Sequence, residues 1–391
     1  MIVKKYISLV AAIIVQIALG GIYAYSIYVP ELKSDWGFTA AQTQIVFGLT
    51  VFMFTVFMIY GGKQLVKKGP KKLIITSAIL FATGNLLAAY SAGNYTLFFV
   101  GYVLFIAPAI AFGYVSAVST GLLWFPKHKG LVTGLAVAGY GLGGIILSTV
   151  AQVLISSDMT IQQIFVFVGL VWGGAILVSG IVTSTPPGLI KKSYTVKTAT
   201  RIKRNKKEFA ALTIYLFTGT MPGLMMIGAL KPFALDSGIA TVTAAAGVAV
   251  LSFGNGFGRV LWGAIADVIK PRLAVIINMI LIISSMLLLF AVASNPWLYI
   301  PASLLLGFSF GGPLVLAPDQ TGRVFGASNL SQIYPWALIF HGMAAAVGAS
   351  VAGVMYQYSG SYTMVIGVAA ISATIGLICY YNLVKYSRKL V

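Results

Sequence analysis

Charged residues are scarce in this sequence of 391 residues: Asp, Glu, Lys and Arg together make up 8% of it, and only seven residues are acidic. A soluble domain carries about 25% charged residues, so a water-soluble globular protein is excluded. Cysteine is almost absent as well, and the single Cys379 rules out an intrachain disulfide. The 43 glycines and 14 prolines follow no period, which excludes collagen-like and low-complexity classes.

Apolar sequence is abundant, with 59% hydrophobic residues and a mean hydropathy of +0.95. Runs of about 20 apolar residues predict membrane-spanning helices. Twelve such runs predict an all-α membrane protein of twelve transmembrane helices, with no room for an extramembrane domain. The first run is too long for the apolar core of a signal peptide, so we expect it to be retained. The predicted spans, numbered 1 to 12 in chain order, are 6–30, 40–62, 73–91, 96–124, 131–156, 162–184, 209–231, 241–266, 273–293, 297–318, 330–356 and 361–384.

The basic residues indicate how the chain is oriented, because Lys and Arg concentrate in cytoplasmic loops. With both termini in the cytoplasm, 23 of the 26 Lys and Arg residues fall on the cytoplasmic side, and only Lys33 and Lys231 fall outside. We therefore predict a multi-pass protein of the cytoplasmic (plasma) membrane with both termini cytoplasmic. The net charge of +19 is then a topology signal first and a contact with membrane lipid second. Nucleic-acid binding is not expected.

The longest polar segment, 185–208, divides six spans from six. It predicts an N-terminal six-helix half over 1–184, a basic cytoplasmic linker over 185–208 and a C-terminal six-helix half over 209–391. The turn after span 2, Gly62-Lys-Gln-Leu-Val-Lys-Lys-Gly-Pro-Lys-Lys72, has a counterpart after span 8, Gly263-Ala-Ile-Ala-Asp-Val-Ile-Lys-Pro-Arg272. Two related halves that flank a midplane site are a recurring transporter plan.

Five further stretches are rich in glycine and aromatic residues: Gly21-Ile-Tyr-Ala-Tyr-Ser-Ile-Tyr28, Leu123-Trp-Phe-Pro-Lys-His-Lys-Gly130, Ala138-Gly-Tyr-Gly-Leu-Gly-Gly144, Asn255-Gly-Phe-Gly-Arg-Val-Leu-Trp-Gly263 and Phe308-Ser-Phe-Gly-Gly312. With the two turns, they resemble the major facilitator superfamily, specifically its oxalate:formate antiporter family and more distantly monocarboxylate permeases. The resemblance covers essentially the whole chain. It implies the major facilitator fold with two pseudo-symmetric six-helix halves.

Arg259 is the one permanent charge well inside a predicted span, and a buried Arg costs at least about 2.5 kcal/mol. Ser252, Asn255 and Arg259 share one helix face, which predicts that this face lines a cavity. Because no predicted span holds a carboxylate near its centre, we expect the partner of Arg259 to be a ligand anion. The alternatives are that it extends to the headgroups or pairs with Asp267. The acidic residues, all at span ends or in loops, are Glu31, Asp35, Asp158, Glu208, Asp236, Asp267 and Asp319.

His341 is the second ionisable residue at depth, near the middle of span 11. In the resembling family this position, seven residues after Tyr334, usually holds Lys. A histidine there can gain a proton when the negative charge of a bound carboxylate favours the imidazolium, which predicts proton coupling. In a competing hypothesis His341 stays protonated and forms with Arg259 a two-cation site for a dicarboxylate such as oxalate. A structural role, as a hydrogen bond between helices, is the third possibility.

Six aromatic residues inside their spans match positions that line the substrate chamber of the resembling family; packing is the alternative role for each. They are Tyr23, Tyr25, Tyr28, Tyr114, Tyr140 and Phe310. Phe310 stands where the family has Trp, and Leu314 replaces a tyrosine. A less polar chamber favours a monocarboxylate with an apolar tail.

The sequence therefore predicts a secondary transporter of small carboxylates, with formate, lactate or pyruvate favoured, by proton symport or anion exchange. The absence of a Walker A sequence excludes direct drive by ATP. No catalytic residues, metal or cofactor are expected, since paired Asp or clustered His and Cys are absent from the spans. We expect a monomer, with the carboxylate, protons or a counter-anion, and lipid as partners. A membrane nutrient sensor without transport is the alternative from another class.

Overall fold

A computed structural model of the protein describes residues 2–125, 129–186, 206–292, 295–326 and 330–387. Of the predicted linker 185–208, residues 187–205 lie outside this part. Every regular element within it is a helix, and eleven helical stretches are long and apolar enough to cross a membrane. The 50-residue helix Ala40–Ala89 contains spans 2 and 3, so the prediction of twelve spans is confirmed.

The spans follow the predicted bounds closely. Their helices are Ile2–Gly20 continued by Gly21–Ile27, Ala40–Ala89, Tyr95–Phe99 continued by Val100–Ile106 and Ala107–Trp124, Lys129–Ser156, Ile161–Val182, Lys206–Ile227, Thr241–Val268, Pro271–Ala291, Tyr299–Gly311 with Pro313–Phe325, Leu330–Ser359 and Thr363–Ser387. Short helices Val29–Ser34 and Leu230–Asp236 follow spans 1 and 7, the first span of each half, and Pro296–Leu298 precedes span 10.

The turn between spans 2 and 3 is set by two residues. Gly69 has φ +75°, a left-handed conformation that favours glycine, and Pro70 then starts span 3. The corresponding turn in the second half has Lys270 in an extended conformation and Pro271 as the first residue of span 9. The repeated motif therefore makes the same connection at the same place in both halves.

The two halves pack along two pairs of helices that lack side-chain bulk where they cross. Span 5 meets span 8 at Gly141, where an added Cβ would lie 2.7 Å from the Cα of Gly256. Span 2 meets span 11 at Gly48, where an added Cβ would lie 2.5 Å from the carbonyl oxygen of Ala345. Small residues allow such close helix approach in membranes. These contacts bring spans 1, 5, 8, 10 and 11 around one central region.

The two ends of the bundle differ in charge. We call the end that carries the basic turns 63–72 and 270–272 the basic end, and the end that carries Lys33 and Lys231 the sparse end. The sequence predicts Lys231 at the outer end of span 7, and the structure adds that its side chain is fully buried. Its ammonium group donates to the carbonyl oxygen of Ile27 at 3.0 Å and to Oε1 of Glu31 at 3.2 Å, which compensates the burial.

Candidate functional site

The guanidinium of Arg259 lies inside the bundle, with the residue only 3% exposed. Its Nε donates to Oδ1 of Asn255 at 3.1 Å, and its Nη2 donates to the hydroxyl of Tyr23 at 2.8 Å. Asn255 lies one helical turn earlier in span 8, so the side chain extends away from the basic end. The alternative of a side chain reaching the headgroups is therefore wrong for this structure.

Asp267, the other candidate partner of Arg259, lies in a different ion pair. Its Oδ1 accepts from Nη2 of Arg323 at 3.4 Å, and the Nε of Arg323 donates to Asp319 at 2.9 Å. These groups lie at the basic end, where the Asp267 side chain is 81% exposed. Exposed pairs of this kind contribute about 0 to 1 kcal/mol to stability. They leave Asp267 in a setting quite unlike the buried surroundings of Arg259.

Aromatic rings from the other half surround the guanidinium. The carbon Cζ of Arg259 lies 5.8 Å from the ring centre of Tyr23 and 5.5 Å from that of Tyr140, within the range of cation–π attraction. The two tyrosine rings meet edge to face at 5.5 Å. Both tyrosines belong to the first six spans, so the charge and its aromatic surroundings come from opposite halves.

Two further predicted residues extend this wall. Phe310 meets Tyr23 edge to face at 5.9 Å, and Tyr114 meets Tyr140 at 5.2 Å. Phe310 also lies 6.3 Å, between ring centres, from His341. We call the resulting set the Arg259 cluster; it consists of Tyr23, Tyr114, Tyr140, Asn255, Arg259, Phe310 and His341.

Three polar atoms, one on His341 and two on the Arg259 face of span 8, are buried without a hydrogen-bond partner. They are Nδ1 of His341, Nδ2 of Asn255 and Oγ of Ser252. His341 is 3% exposed and lies within electrostatic range of Arg259. Buried polar groups are nearly always hydrogen-bonded, so unpartnered atoms on His341 and on the helix face of Arg259 are typical of a site that a ligand completes.

Tyr25 and Tyr28 point away from Arg259. Tyr25 belongs to the same 3₁₀ helix as Tyr23, Gly21–Ile27, and Tyr28 is the residue that caps its C-terminal end. The hydroxyl of Tyr25 donates to the carbonyl oxygen of Thr43 at 2.9 Å, and its ring stacks on Phe47 at 5.4 Å. Tyr28 packs on Phe165 at 5.1 Å, with its hydroxyl buried and unpartnered. The structure therefore does not bring these two predicted residues into the Arg259 cluster.

These residues form a second set inside the N-terminal half, the Tyr28 cluster, which consists of Tyr25, Tyr28, Phe47, Tyr102 and Phe165. Tyr25, Tyr28 and Tyr102 line a cavity of about 30 Å³, together with Asn85. This volume holds one or two water molecules and is too small for an organic acid. A 3₁₀ helix completes a turn every three residues, so residues three apart share a face and residues two apart do not. Tyr25 and Tyr28 therefore point to one side, and Tyr23 points to another.

Phe54 in span 2 is a further aromatic residue of this region and was not among the predicted site residues. Its ring lies 5.9 Å from that of Tyr114 and 6.3 Å from that of Tyr140, behind the wall that faces Arg259. Phenylalanine is common in membrane spans, so its identity carries no signal. The usable signal would have been its place in span 2, because span 2 packs against span 11, which carries His341.

A fixed cation, neutral donors and aromatic walls can bind a small anion, and they offer no nucleophile with a base beside it. Within the described residues, no group of three or more His, Cys, Asp or Glu side chains lies close enough together to hold a metal ion.

The sequence profile of the Major Facilitator Superfamily matches residues 11–334, which is most of the chain. The chain belongs to the Major Facilitator Superfamily. It is therefore a multi-pass membrane protein of a transporter superfamily, and the predicted fold class is confirmed. Its relatives are transporters and not enzymes.

Three curated relatives align with most of the length of this chain. An uncharacterized MFS-type transporter, YhjX, of Escherichia coli is 26% identical over 84% of this chain and 83% of its own. The oxalate:formate antiporter of Oxalobacter formigenes is 24% identical over 85% of this chain and 80% of its own. Monocarboxylate transporter 12 of Xenopus laevis is 24% identical over 74% and 69%. The resemblance to both carboxylate families is confirmed at this low level of identity.

A solved structure shows the same fold. A bacterial homolog of the human lysosomal transporter Spinster, in an inward-facing and unoccupied conformation, superposes with a TM-score of 0.74 at 14% identity. The match covers 97% of this chain and 96% of that one. At 14% identity this likeness shows the fold alone.

Proposed function

We propose that this protein is a secondary active transporter that moves small carboxylate anions across the cytoplasmic membrane by alternating access. The observation that carries the proposal is the position of Arg259: a guanidinium that is 3% exposed, at the junction of the two halves, bonded across that junction to Tyr23. A cation held between the moving parts of a transporter suits an anionic substrate, since rocking of the halves exposes it first to one side and then to the other.

The neighbouring groups fit a carboxylate in particular. A guanidinium forms strong charge-assisted hydrogen bonds to carboxylate oxygens. The unpartnered Nδ2 of Asn255 and Oγ of Ser252 supply neutral donors on the same helix face. The names of two relatives, an oxalate:formate antiporter and a monocarboxylate transporter, point to the same substrate class.

We favour monocarboxylates such as formate, lactate or pyruvate because the remaining wall is apolar. Phe310 is 1% exposed and lies against Tyr23 on one side and His341 on the other. A methyl group could pack against such rings, whereas a second carboxylate would need a second cation. Among the described residues His341, next to Phe310, is our candidate for that cation, and oxalate:formate exchange with a protonated His341 is the second candidate function.

His341 is also the group we propose for proton coupling. Its Nδ1 is buried without a partner, and it lies within electrostatic range of Arg259. A bound carboxylate brings a negative charge to this pair and favours protonation of the imidazole. Loading of anion and proton would then be coupled, and departure of the anion would release the proton.

The remaining features of the proposal concern the whole chain. Both termini and the linker 185–208 would lie in the cytoplasm, with the basic end of the bundle facing it. The chain would divide into the halves 1–184 and 209–391. One chain would be the transporting unit. A nutrient sensor without transport is the contrasting hypothesis.

The proposal is tested by uptake of labelled formate, oxalate, lactate, pyruvate and acetate into proteoliposomes, with and without an inward proton gradient. Wild-type protein should carry at least one of these acids, and Arg259→Gln should reduce its uptake about 30-fold or more, as expected for loss of about 2 kcal/mol or more at a buried charge. Arg323→Gln is the matched control, because it removes an Arg from an exposed pair at the basic end.

The outcomes separate the hypotheses. Normal uptake by Arg259→Gln would show that the site is elsewhere, and no uptake of any acid by wild type would favour the sensor. A His341→Gln variant that loses its response to the proton gradient supports coupling through His341. Retention of that response excludes it, and loss of oxalate uptake alone favours the two-cation site.

A further inference from the structure

A buried lysine joins the two halves at the sparse end. Lys231 belongs to the short helix Leu230–Asp236 after span 7, and its side chain is fully buried. Its two acceptors, the carbonyl oxygen of Ile27 and Oε1 of Glu31, both belong to the N-terminal half. Glu31 lies in the short helix Val29–Ser34 after span 1, the corresponding position of the other half.

This ion pair differs from the others in the described part of the chain. Arg272 pairs with Glu208, and Arg323 pairs with Asp267 and Asp319. All of these residues lie at the basic end, on the helices of spans 7 to 10 or in the turn between spans 8 and 9. Among the ion pairs of the described ranges, the Lys231–Glu31 pair is therefore the one that crosses between the halves.

The packing around the pair keeps the ammonium group of Lys231 from water, whereas the side chain of Glu31 is 19% exposed. An added Cβ on Gly228, just before Lys231, would lie 2.4 Å from Oε1 of Gln44, and one on Gly353 would lie 2.8 Å from the Cα of Ala41. Spans 7 and 11 of the C-terminal half thus both touch the start of span 2 in the N-terminal half. A buried ammonium is costly unless it is paired, and it regains hydration only if the halves separate here.

We propose that Lys231 and Glu31 form a latch that holds the sparse end of the transporter closed. With the halves together, the carboxylate and the Ile27 carbonyl satisfy the buried ammonium; when the halves rock apart, water replaces both acceptors. The strength of the pair would then set the fraction of molecules whose sparse end is open. The inference rests on alternating access, which the proposed function includes, and is independent of the carboxylate that is carried.

The experiment measures opening directly, without substrate. Gln44 is 1% exposed at the start of span 2 and has both amide atoms unpartnered, so a cysteine there reports separation of the halves. In a Cys379→Ser background, Gln44→Cys is labelled in detergent with a bulky maleimide, and the rate is followed by mass spectrometry. We expect Lys231→Met and Glu31→Gln each to raise this rate about tenfold, equivalent to about 1.4 kcal/mol.

Glu208→Gln is the matched control, because it removes the carboxylate of a pair that lies within one half; its labelling rate should equal that of the parent. The exchanged variant Glu31→Lys with Lys231→Glu restores opposite charges and should return the rate towards that of the parent. Unchanged rates in both single variants, or an equal rise in Glu208→Gln, would overturn the latch. A rise confined to Lys231→Met would assign closure to the Ile27 hydrogen bond, and either that result or a rise that the exchanged variant does not reverse would overturn the ion pair as its cause.

Because no carboxylate substrate is added, failure of the latch and failure of the proposed function give different results. A protein that transports none of the acids can still show the change in labelling, and a carboxylate transporter can lack it.

Discussion

The Arg259 cluster and the Tyr28 cluster begin from the same short segment of span 1 and share most of their chemistry. Both contain buried tyrosines packed edge to face, and both contain polar atoms without a partner. They differ in charge and in origin. The Arg259 cluster holds a fixed cation and draws residues from both halves, whereas the Tyr28 cluster is uncharged and lies within the N-terminal half.

The comparison shows that a run of tyrosines does not by itself indicate a substrate site. Alternating access requires contacts that form and break between the halves, and in the Arg259 cluster a hydrogen bond, between Tyr23 and Arg259, joins the two halves. A cluster confined to one half moves as a unit and would keep its water-sized cavity throughout the cycle. The difference between the two clusters therefore lies in charge and in the Tyr23–Arg259 bond across the junction.

The largest effect should come from cancelling the charge without changing shape. Asn255→Asp would place a carboxylate where Oδ1 now accepts from the Nε of Arg259 at 3.1 Å. This internal anion would compete with the substrate, so we expect carboxylate uptake in proteoliposomes to fall about 30-fold or more, comparable to truncation of a buried charge partner. The fold should be retained because the two side chains are nearly isosteric.

Asn295→Asp is a suitable control for this variant, since it adds the same charge in an exposed loop before span 10. Thermal unfolding in detergent separates lost function from lost structure. If Asn255→Asp transported like wild type, Arg259 would not be the group that binds the anion. The difference in charge between the two clusters would then not identify the substrate site.

The fold could be predicted almost fully from the sequence. A membrane-spanning helix requires a long apolar run, and basic residues in the cytoplasmic loops show where the runs end. Arg259 and His341 could be singled out for a similar reason, since an ionisable residue in a span is rare. The sequence could not separate Tyr23 from Tyr25 and Tyr28. Their directions depend on a 3₁₀ turn that follows Gly20, where an added Cβ would lie 2.0 Å from the carbonyl oxygen of Tyr140.

The burial of Lys231 was equally hidden. By sequence it is the last residue of an apolar span, where a lysine usually extends to the membrane surface. Its environment depends on Glu31, 200 residues away along the chain. Pairings of this kind between halves depend on how the halves dock, and a single sequence does not contain that information.

An intermediate effect is expected from Tyr23→Phe, which keeps the ring of the wall and removes the hydroxyl bonded to Arg259 at 2.8 Å. Hydrogen bonds to charged groups contribute about 1.5 to 3 kcal/mol, so the apparent affinity for the carboxylate should fall about tenfold as the guanidinium loses its anchor. Concentration-dependent uptake measures this. Tyr25→Phe is the control: it loses a bond to Thr43 and should keep its affinity with lower thermal stability. Equal affinities in both variants would show that the Tyr23–Arg259 hydrogen bond does not contribute to carboxylate binding.

The smallest effect should come from Tyr28→Phe in the uncharged cluster. The hydroxyl of Tyr28 is buried and has no partner, so its removal sacrifices no hydrogen bond and relieves a desolvated polar group. We expect uptake within about twofold of wild type and a thermal unfolding temperature that is unchanged or raised, since such a replacement is nearly neutral or stabilising. A large loss of uptake with an intact fold would place Tyr28 on the transport path. The two clusters would then form one extended chamber, and the division between them at span 1 would be wrong.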